Sequence, residues 1–289
     1  MSRARALLVT SALAAAGCAA CRAGPAAPGE TLRWVDGTAG RLRVSDGGAG
    51  GMPVVFLHGL GGDREVWRAQ LDHLRATRRA IAYDQRGHGD SDRAGDGVYT
   101  IEALADDLEA VRRGLGLARF VLVGHSMSGA VLTTYAGRHP DTVAGLVYLD
   151  AAGDFHAYPA DEVERSVEKA RKATDAAARR AMFAGDLAAA RPATREQVVA
   201  ALDRMDPPAF GALFASMRGV RDARARFAPY RGPAIAVENA ENHDADAASA
   251  VLGLRRLEIA KTSHWLQLDQ PEAVNRALDG FLAALPPAP

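Results

Sequence analysis

The chain has 289 residues, of which 48% are hydrophobic and 24% are charged, as in an ordinary soluble globular protein. Lysine plus arginine and aspartate plus glutamate number 35 each, so no basic field favours binding to nucleic acid or another polyanion. The length fits one large domain or two small ones. The two cysteines are Cys18 and Cys21, so the rest of the chain can hold neither a disulfide framework nor a cysteine-based metal site.

The N-terminal residues predict an export signal. Arg3 and Arg5 form a short positive region, and the apolar stretch Ala6–Ala16 is too short to span a bilayer comfortably as a helix. The small residues before Cys18 resemble the end of a bacterial lipoprotein signal, which implies cleavage before a lipidated Cys18. The alternative is a plain secretory signal cleaved near Ala20. We therefore expect a lipoprotein anchored in the bacterial cell envelope, periplasmic or outer-membrane, or else a secreted protein, with membrane contact only through the lipid.

Three segments follow from this interpretation. Residues 1–17 are the predicted signal, and residues 18–30 form a tether rich in proline, glycine and alanine. Residues 31–289 form one predicted domain.

Short apolar runs in this domain alternate with helical patterns. Eight runs predict β-strands: Leu32–Val35, Arg41–Val44, Pro53–His58, Ala80–Tyr83, Phe120–Val123, Gly145–Leu149, Ala234–Val237 and Leu257–Ile259. Apolar residues at helical spacing predict a helix after Thr100, a plausible N-cap, and further helices over Val131–Arg138 and Glu272–Leu285. This alternation predicts an α/β fold with a mostly parallel sheet covered by helices on both faces.

One region interrupts the alternation. Residues 155–230 are rich in alanine, arginine and glutamate, and predict a helical insertion between two strands. Its large apolar residues could line a pocket or fill the core of the insertion, and the second role is the one we expect to dominate. They are Phe155, Tyr158, Phe183, Phe210, Phe214 and Met217.

Polar and glycine-rich motifs follow the predicted strands, where ligands bind in open α/β sheets. They are "HGLGG" from His58, "DQRGHGDSD" from Asp84, "GHSMSG" from Gly124 and "TSHW" from Thr262. In this order they resemble the α/β-hydrolase superfamily of serine hydrolases, over almost all of residues 32–285. Ser128 departs from the family, which usually has glycine two residues after the nucleophile.

The resemblance implies roles for four residues. Ser126 is the nucleophile, and His264 is the base that activates its hydroxyl. His125 is expected to point away on the far side of the turn. The backbone N–H groups of Leu60 and Met127 form the oxyanion hole.

The third member of the triad stays open at this point. Many family members carry the acid after the strand that follows the insertion, but here that strand leads into "ENAENHDAD", with Asn242 near the expected position. A known variation places the acid at the end of the strand after the nucleophile helix, which is Asp150. We expect Asp150, with Asp244 and then Glu241 as alternatives.

The remaining motif residues have an expected structural role. Asp84, Arg86 and His88 are predicted to hold their loop together by ion pairs and hydrogen bonds. No grouping of histidine and carboxylate residues has metal-ligand spacing, and no phosphate-binding glycine motif follows a strand, so no metal and no cofactor are predicted.

The function implied by the resemblance is hydrolysis of a small-molecule carboxylic ester, or a related acyl substrate, through an acyl-enzyme on Ser126. A cofactor-free haloperoxidase-like activity or hydrolysis of a C–C bond is the alternative with the same triad. A non-catalytic binding module with this fold is the rival from another class. The sequence leaves the substrate and the oligomeric state open.

Overall fold

The computed structural model describes residues 29–241 and 244–286. The predicted signal and nearly all of the predicted tether, including Cys18 and Cys21, lie outside the described residues, as does Asn242. In the described residues, no helix is long and apolar enough to cross a membrane.

The described residues form one eight-stranded sheet, and each predicted strand is present. The strands are β1 (Glu30–Asp36), β2 (Arg41–Gly47), β3 (Val54–Leu57), β4 (Ala80–Tyr83), β5 (Phe120–His125), β6 (Val143–Leu149), β7 (Ala234–Asn239) and β8 (Arg255–Ile259). Their order across the sheet is β1-β2-β4-β3-β5-β6-β7-β8. The β1–β2 and β2–β4 pairs are antiparallel and the other five pairs are parallel, so the sheet is mostly parallel, as predicted.

Helices cover both faces of the sheet. On one face lie α1 (Arg68–Arg75), α11 (Leu266–Asp269) and α12 (Pro271–Ala283), which share a core with the sheet. On the other face lie α2 (Ile101–Gly114) and α3 (Ser128–Arg138). Thr100 caps α2 as expected, because its hydroxyl accepts a hydrogen bond of 3.1 Å from the Ala103 N–H.

The helical cap, residues 155–230, lies between β6 and β7 and contains no strand. Its helices are α4 (Ala160–Lys172), α5 (Ala176–Met182), α6 (Ala184–Ala189), α7 (Pro192–Arg204), α8 (Pro207–Arg218) and α9 (Ala223–Phe227). The short helix α10 (Ala248–Leu252) follows β7. The predicted fold class, an α/β sheet with a helical insertion, is confirmed.

The cap packs directly on loops that follow the strands. A Cβ atom added to Gly61, after β3, would lie 2.4 Å from Leu202 Cδ1 in α7. A Cβ atom at Gly87, after β4, would lie 2.9 Å from the Cβ of Ala209 in α8. Both glycines have positive φ angles, 74° and 73°, and only glycine combines this backbone with so little space. These contacts hold the cap above the edge of the sheet where the parallel strands end.

Candidate active site

Ser126 lies on a sharp turn between β5 and α3. Its φ angle of 55° falls in the left-handed region, which non-glycine residues rarely adopt. The turn is held by backbone hydrogen bonds, from the Ser126 N–H to the Leu149 carbonyl (3.2 Å) and from the Gly129 N–H to the Ser126 carbonyl (3.0 Å). The serine is half-buried and lines a cavity of about 540 Å³ beneath the cap. A strained serine at a cavity is typical of a functional position.

Asp150 follows β6, the strand beside β5, and is also left-handed, with a φ angle of 41°. Its backbone N–H donates to the Val237 carbonyl at 2.8 Å. Its two carboxylate oxygens have different partners, because Oδ1 accepts from the Asn239 N–H at 3.1 Å and Oδ2 lies 2.8 Å from Nδ1 of His264. The neighbouring strand β7 therefore orients the carboxylate that contacts the histidine.

His264 lies in the loop after β8 and lines the same cavity as Ser126. Burial lowers the pKa of His264, but the hydrogen bond and charge of Asp150, together with the charges of Asp186 and Asp246, leave the pKa above its ordinary value of 6.5. Because Nδ1–H of the neutral ring donates to Asp150, the Nε2 lone pair is the proton acceptor. This protonation state is the one that a general base requires.

His125 packs behind this histidine. Its ring lies 4.6 Å from the His264 ring between centroids, and its Nε2 donates to the His264 carbonyl at 2.8 Å. Burial lowers the pKa of His125, so the ring is neutral near pH 7. His125 therefore supports the loop that carries His264. The sequence predicted only that His125 points away from Ser126, and did not predict this contact.

The loop after β3 lies against the nucleophile turn. A Cβ atom at Gly59 would be 2.9 Å from the Cβ of Ser126, so only glycine fits there. Among the described residues, the N–H groups of Leu60 and Met127 donate to no protein acceptor. Two unsatisfied amides beside a serine hydroxyl are what an oxyanion hole requires.

Two neutral histidines hold this loop in place. Burial lowers the pKa of His58 to about 4 and that of His88 to about 3, so each ring has one donor and one acceptor nitrogen at pH 7. His58 Nε2 accepts from the Gln85 N–H at 3.0 Å, and Nδ1 donates to the Gly59 carbonyl at 2.8 Å. His88 Nε2 accepts from the Gly61 N–H at 3.2 Å. Leu60 therefore lies between Gly59, whose carbonyl is hydrogen-bonded to His58, and Gly61, whose N–H is hydrogen-bonded to His88.

Ser128, the residue that departs from the family pattern, is fully buried and hydrogen-bonded. Its hydroxyl donates to the His58 carbonyl at 2.6 Å, and the Gln85 side-chain amide donates to the same carbonyl at 2.7 Å. The Gln85 amide also lies 3.3 Å from the Ser128 hydroxyl. The extra hydroxyl thus links the start of α3 to the loop that carries Leu60. The sequence analysis noted Ser128 only as a departure from the family pattern and did not single out Gln85.

The alternative acids lie in the same cavity. Glu241 and Asp244 both line its wall, in the loop after β7. The carboxylate bonded to Nδ1 of His264 is that of Asp150. The geometry favours Asp150, the acid expected first from the sequence, and does not rank Asp244 against Glu241.

The "DQRGHGDSD" residues have structural partners, as predicted. Asp84 is fully buried and pairs with the Arg64 side chain, and it also accepts from the Arg64 N–H at 2.7 Å. Arg86 pairs with Asp107 at 2.6 Å, and both side chains are buried. The Arg86–Asp107 pair therefore ties the loop after β4 to α2, and the Asp84–Arg64 pair ties it to the segment after β3.

The cavity is lined from the cap as well as from the sheet. Four of the six apolar cap residues that the sequence singled out line it: Phe155, Phe183, Phe214 and Met217. Phe210 is fully buried in the core instead. Phe155, Phe214 and Met217 are also buried in that core, so a role in the core and a role in the cavity wall are not exclusive.

Known proteins resemble this chain in sequence over about a third of its length. The chain matches the non-heme chloroperoxidase CPO-A1 of Kitasatospora aureofaciens with 44% identity over 90 residues, which is 31% of this chain and 32% of that protein. It matches the sn-1-specific diacylglycerol lipase ABHD11 of Mus musculus with 40% identity over 107 residues, 36% of this chain and 34% of the lipase. The chain thus spans about a third of the length of these curated relatives.

A solved structure resembles the chain over most of its length. A thermophilic esterase from Thermogutta terrifontis, studied with malate bound, has a TM-score of 0.75 and 26% identity, covering 88% of this chain and 98% of the esterase chain. The model of the alpha/beta hydrolase fold family matches residues 52–220, more than half of the chain. Together with the sheet order and the cap, this match establishes that the chain belongs to the alpha/beta hydrolase family.

Proposed function

We propose that the protein is a serine hydrolase that cleaves carboxylic esters of small molecules. The observation that carries the proposal is the 2.8 Å contact between His264 Nδ1 and the Asp150 carboxylate, in a cavity that Ser126 also lines. A neutral serine hydroxyl is a weak nucleophile, so it needs a base whose tautomer is fixed by a third group. Asp150 supplies that group.

The reaction proceeds in two steps. Ser126 Oγ bonds to the ester carbonyl carbon while its proton passes to Nε2 of His264, and the carbonyl electrons move onto oxygen. Collapse of this intermediate breaks the C–O bond to the alcohol, which leaves with the proton from His264. Water then attacks the acyl-enzyme by the same route, which releases the acid and restores Ser126.

Two backbone amides stabilise the negative oxygen of each intermediate. The N–H groups of Leu60 and Met127 have no protein acceptor in the described residues, so they can both donate to the oxyanion. The buried contacts of His58 and His88 hold the Leu60 amide before the substrate arrives. Preorganised donors of this kind lower the barrier because no reorganisation is needed during the reaction.

The relatives support hydrolysis of esters, since they include an esterase and a lipase. The match to a chloroperoxidase favours a second candidate, a cofactor-free haloperoxidase-like activity of the same serine. Peroxide-dependent bromination in acetate buffer, measured beside ester hydrolysis, separates the two.

The first test is hydrolysis of p-nitrophenyl esters of graded chain length by the full chain. The Ser126→Ala variant should lose activity and labelling by a fluorophosphonate, and Asp150→Asn should lose far more activity than Asp244→Asn, its matched control in the same cavity. An inactive parent whose Ser126 is not labelled would overturn the proposal and favour a non-catalytic binding module.

We also propose export with a lipid anchor at Cys18. The support is the pattern of charge, apolar stretch and small residues before Cys18. In a bacterial host, the parent should enter the membrane fraction and incorporate labelled fatty acid, and Cys18→Ser should do neither. An unlabelled parent released in soluble form would instead fit cleavage near Ala20.

A further inference from the structure

An arginine of the cap lies in the cavity wall beside aromatic rings. Arg218, the last residue of α8, lines the same cavity as Ser126 and His264. Its guanidinium carbon lies 4.3 Å from the centroid of the Phe155 ring and 5.3 Å from that of Phe214. The Tyr158 ring lies 5.7 Å away. The guanidinium group therefore lies over three aromatic rings, within the range of cation–π attraction.

The hydrogen-bond donors of this group are unused by the protein. A guanidinium carries five N–H donors, and aromatic rings offer them no oxygen or nitrogen acceptor. Nε of Arg218 is buried without a partner, and within residues 29–241 and 244–286 the side chain forms no hydrogen bond or ion pair. The nearby Arg226 contrasts with it, since it pairs with Glu102 at 2.6 Å and with Asp222 at 2.7 Å. Arg218 is thus a cation packed against aromatic rings, and its N–H donors are available to a ligand.

The other charges around the cavity have both signs. Four carboxylates line it besides Asp150, and they are Asp186, Glu241, Asp244 and Asp246. Tyr158 donates to Asp246 at 3.1 Å, and the charges of Asp186 and Asp246 both favour the protonated form of His264. A second cation, Lys169, lines the cavity from α4, which packs against α8. Together with Asp150, the carboxylates outnumber Lys169 and Arg218, so the cavity as a whole does not attract an anion and the inference rests on the local geometry of Arg218.

We propose that Arg218 binds a carboxylate of the substrate, so that the ester cleaved at Ser126 carries a second, ionised carboxyl group. This inference rests on the proposed function. A planar guanidinium binds a carboxylate through two parallel N–H···O bonds, which gives orientation as well as affinity. The aromatic rings position the guanidinium in advance and limit the entropy lost when the substrate binds. Lys169 adds a second positive charge at the exposed rim of the same wall.

The test compares esters that differ in charge at one end. One series uses p-nitrophenyl caproate as the neutral ester, mono-p-nitrophenyl adipate as the anionic ester and p-nitrophenyl ε-aminocaproate as the cationic ester. The glutarate and suberate monoesters vary the distance between the ester and the carboxylate. A second series places the carboxylate on the alcohol side, as caproate esters of phenol and p-hydroxybenzoate. The full chain should prefer the anionic member of at least one series over its neutral match by about 10- to 100-fold in kcat/KM.

Substitution of Arg218 should remove this preference. Arg218→Gln is expected to lower kcat/KM for the preferred anionic ester by about 10- to 100-fold and to change the neutral ester by less than about 3-fold. Arg218→Lys keeps the charge but loses the planar fork, so it should restore only part of the preference. Arg224→Gln is the matched control, because Arg224 is an exposed cap arginine outside the cavity wall and should change neither substrate.

The outcomes separate this inference from the proposed function. Equal loss on neutral and anionic esters, or preference for neutral or cationic esters in the parent, overturns the carboxylate site while Ser126-dependent hydrolysis stands. Activity on the neutral ester in Arg218→Gln also shows that the variant is folded. If Ser126→Ala retains hydrolysis of every ester, the proposed function itself fails, whatever the charge preference.

Discussion

The edge of the sheet and the cap face each other across the cavity, and they are built differently. The sheet edge is defined as the loops after β3, β4, β5 and β6 together with the first turn of α3. Its polar groups are buried and hydrogen-bonded to one another, as His58, Gln85 and Ser128 are. In the cap, several ion pairs lie on the outer surface, such as Arg165 with Asp161 and Arg180 with Asp203.

The difference follows from the surroundings of each polar group. A buried polar group without a partner costs about 1–3 kcal/mol, which explains why His58, Gln85 and Ser128 are hydrogen-bonded to one another at the sheet edge. Exposed charges in the cap exchange protein partners for water at little cost. The sheet edge is therefore the fixed half of the site, and the cap is the half whose exposed charged side chains can differ without loss of the fold. Four predictions test this contrast, from the largest expected effect to the smallest.

The largest effect should come from Asp150, which the sheet edge supplies. Asp150→Asn should lower kcat by about 10³- to 10⁴-fold, because the amide stabilises the wrong tautomer of His264.

The residual activity of this variant should also depend differently on pH, on the acid limb of the pH–rate profile. Asp150 raises the pKa of His264, and the neutral ring is the active form, so the parent should lose activity as the pH falls through a value above 6.5. Without the carboxylate that limb should move to lower pH. A limb that stays in place would assign it to another group.

The next effect concerns stability. Asp84 is buried at the sheet edge with Arg64, and Asp84→Ala leaves a buried guanidinium with weaker partners. We expect the free energy of unfolding in urea to fall by about 3 kcal/mol. The cap variant Asp161→Ala removes an exposed pair and should leave the urea midpoint unchanged. Equal losses in the two variants would contradict the contrast between the regions.

A smaller effect is expected at Ser128. Ser128→Ala removes one of two donors to the His58 carbonyl, so the free energy of unfolding should fall by about 1 kcal/mol. If the hydroxyl also positions the Leu60 loop, kcat should fall by about 3- to 10-fold with KM unchanged. Thr133→Val is the matched control, since it removes a buried hydrogen bond of 3.0 Å to Tyr148 elsewhere on α3. An equal fall in kcat in this control would mean that Ser128 acts only through stability.

The smallest effect should come from a cap carboxylate that acts on His264 without touching it. Asp186 is exposed at the cavity, and its charge raises the pKa of His264 through space. Asp186→Asn should move the acid limb of kcat/KM down by about 0.2 to 0.5 of a pH unit at low salt, and the shift should shrink as salt screens the charge. A salt-independent shift would indicate direct contact instead.

The fold could be predicted because the sequence patterns that specify its strands and helices are local. The run Val54–Leu57 is apolar at every position, as a strand buried on both faces requires, and the same is true of Ala80–Tyr83. Glycine and polar residues directly after such strands mark the sheet edge. The roles of Ser126 and His264 were predicted through the resemblance of these motifs, in their order, to the α/β-hydrolase superfamily.

The remaining site residues depend on contacts between distant segments. Asp150 is oriented by the Asn239 N–H on the neighbouring strand, a contact across 89 positions of sequence. Arg218 is held by Phe155, which comes from a loop far along the chain. Periodicity and composition do not report which residues meet across such distances, so the role of Arg218 could be inferred only from the structure.

The contact between Gly61 and Leu202 has a consequence for engineering and for divergence among proteins of this fold. The α7 side chain occupies the space that a Cβ at Gly61 would need, one residue after the amide at Leu60. A cap transplanted from another family member would bring its own residue to this position, and a larger one would push on the Leu60 loop. Exchange of whole caps to change substrate range therefore has to match side-chain volume at residue 202 before any residue of the pocket is considered.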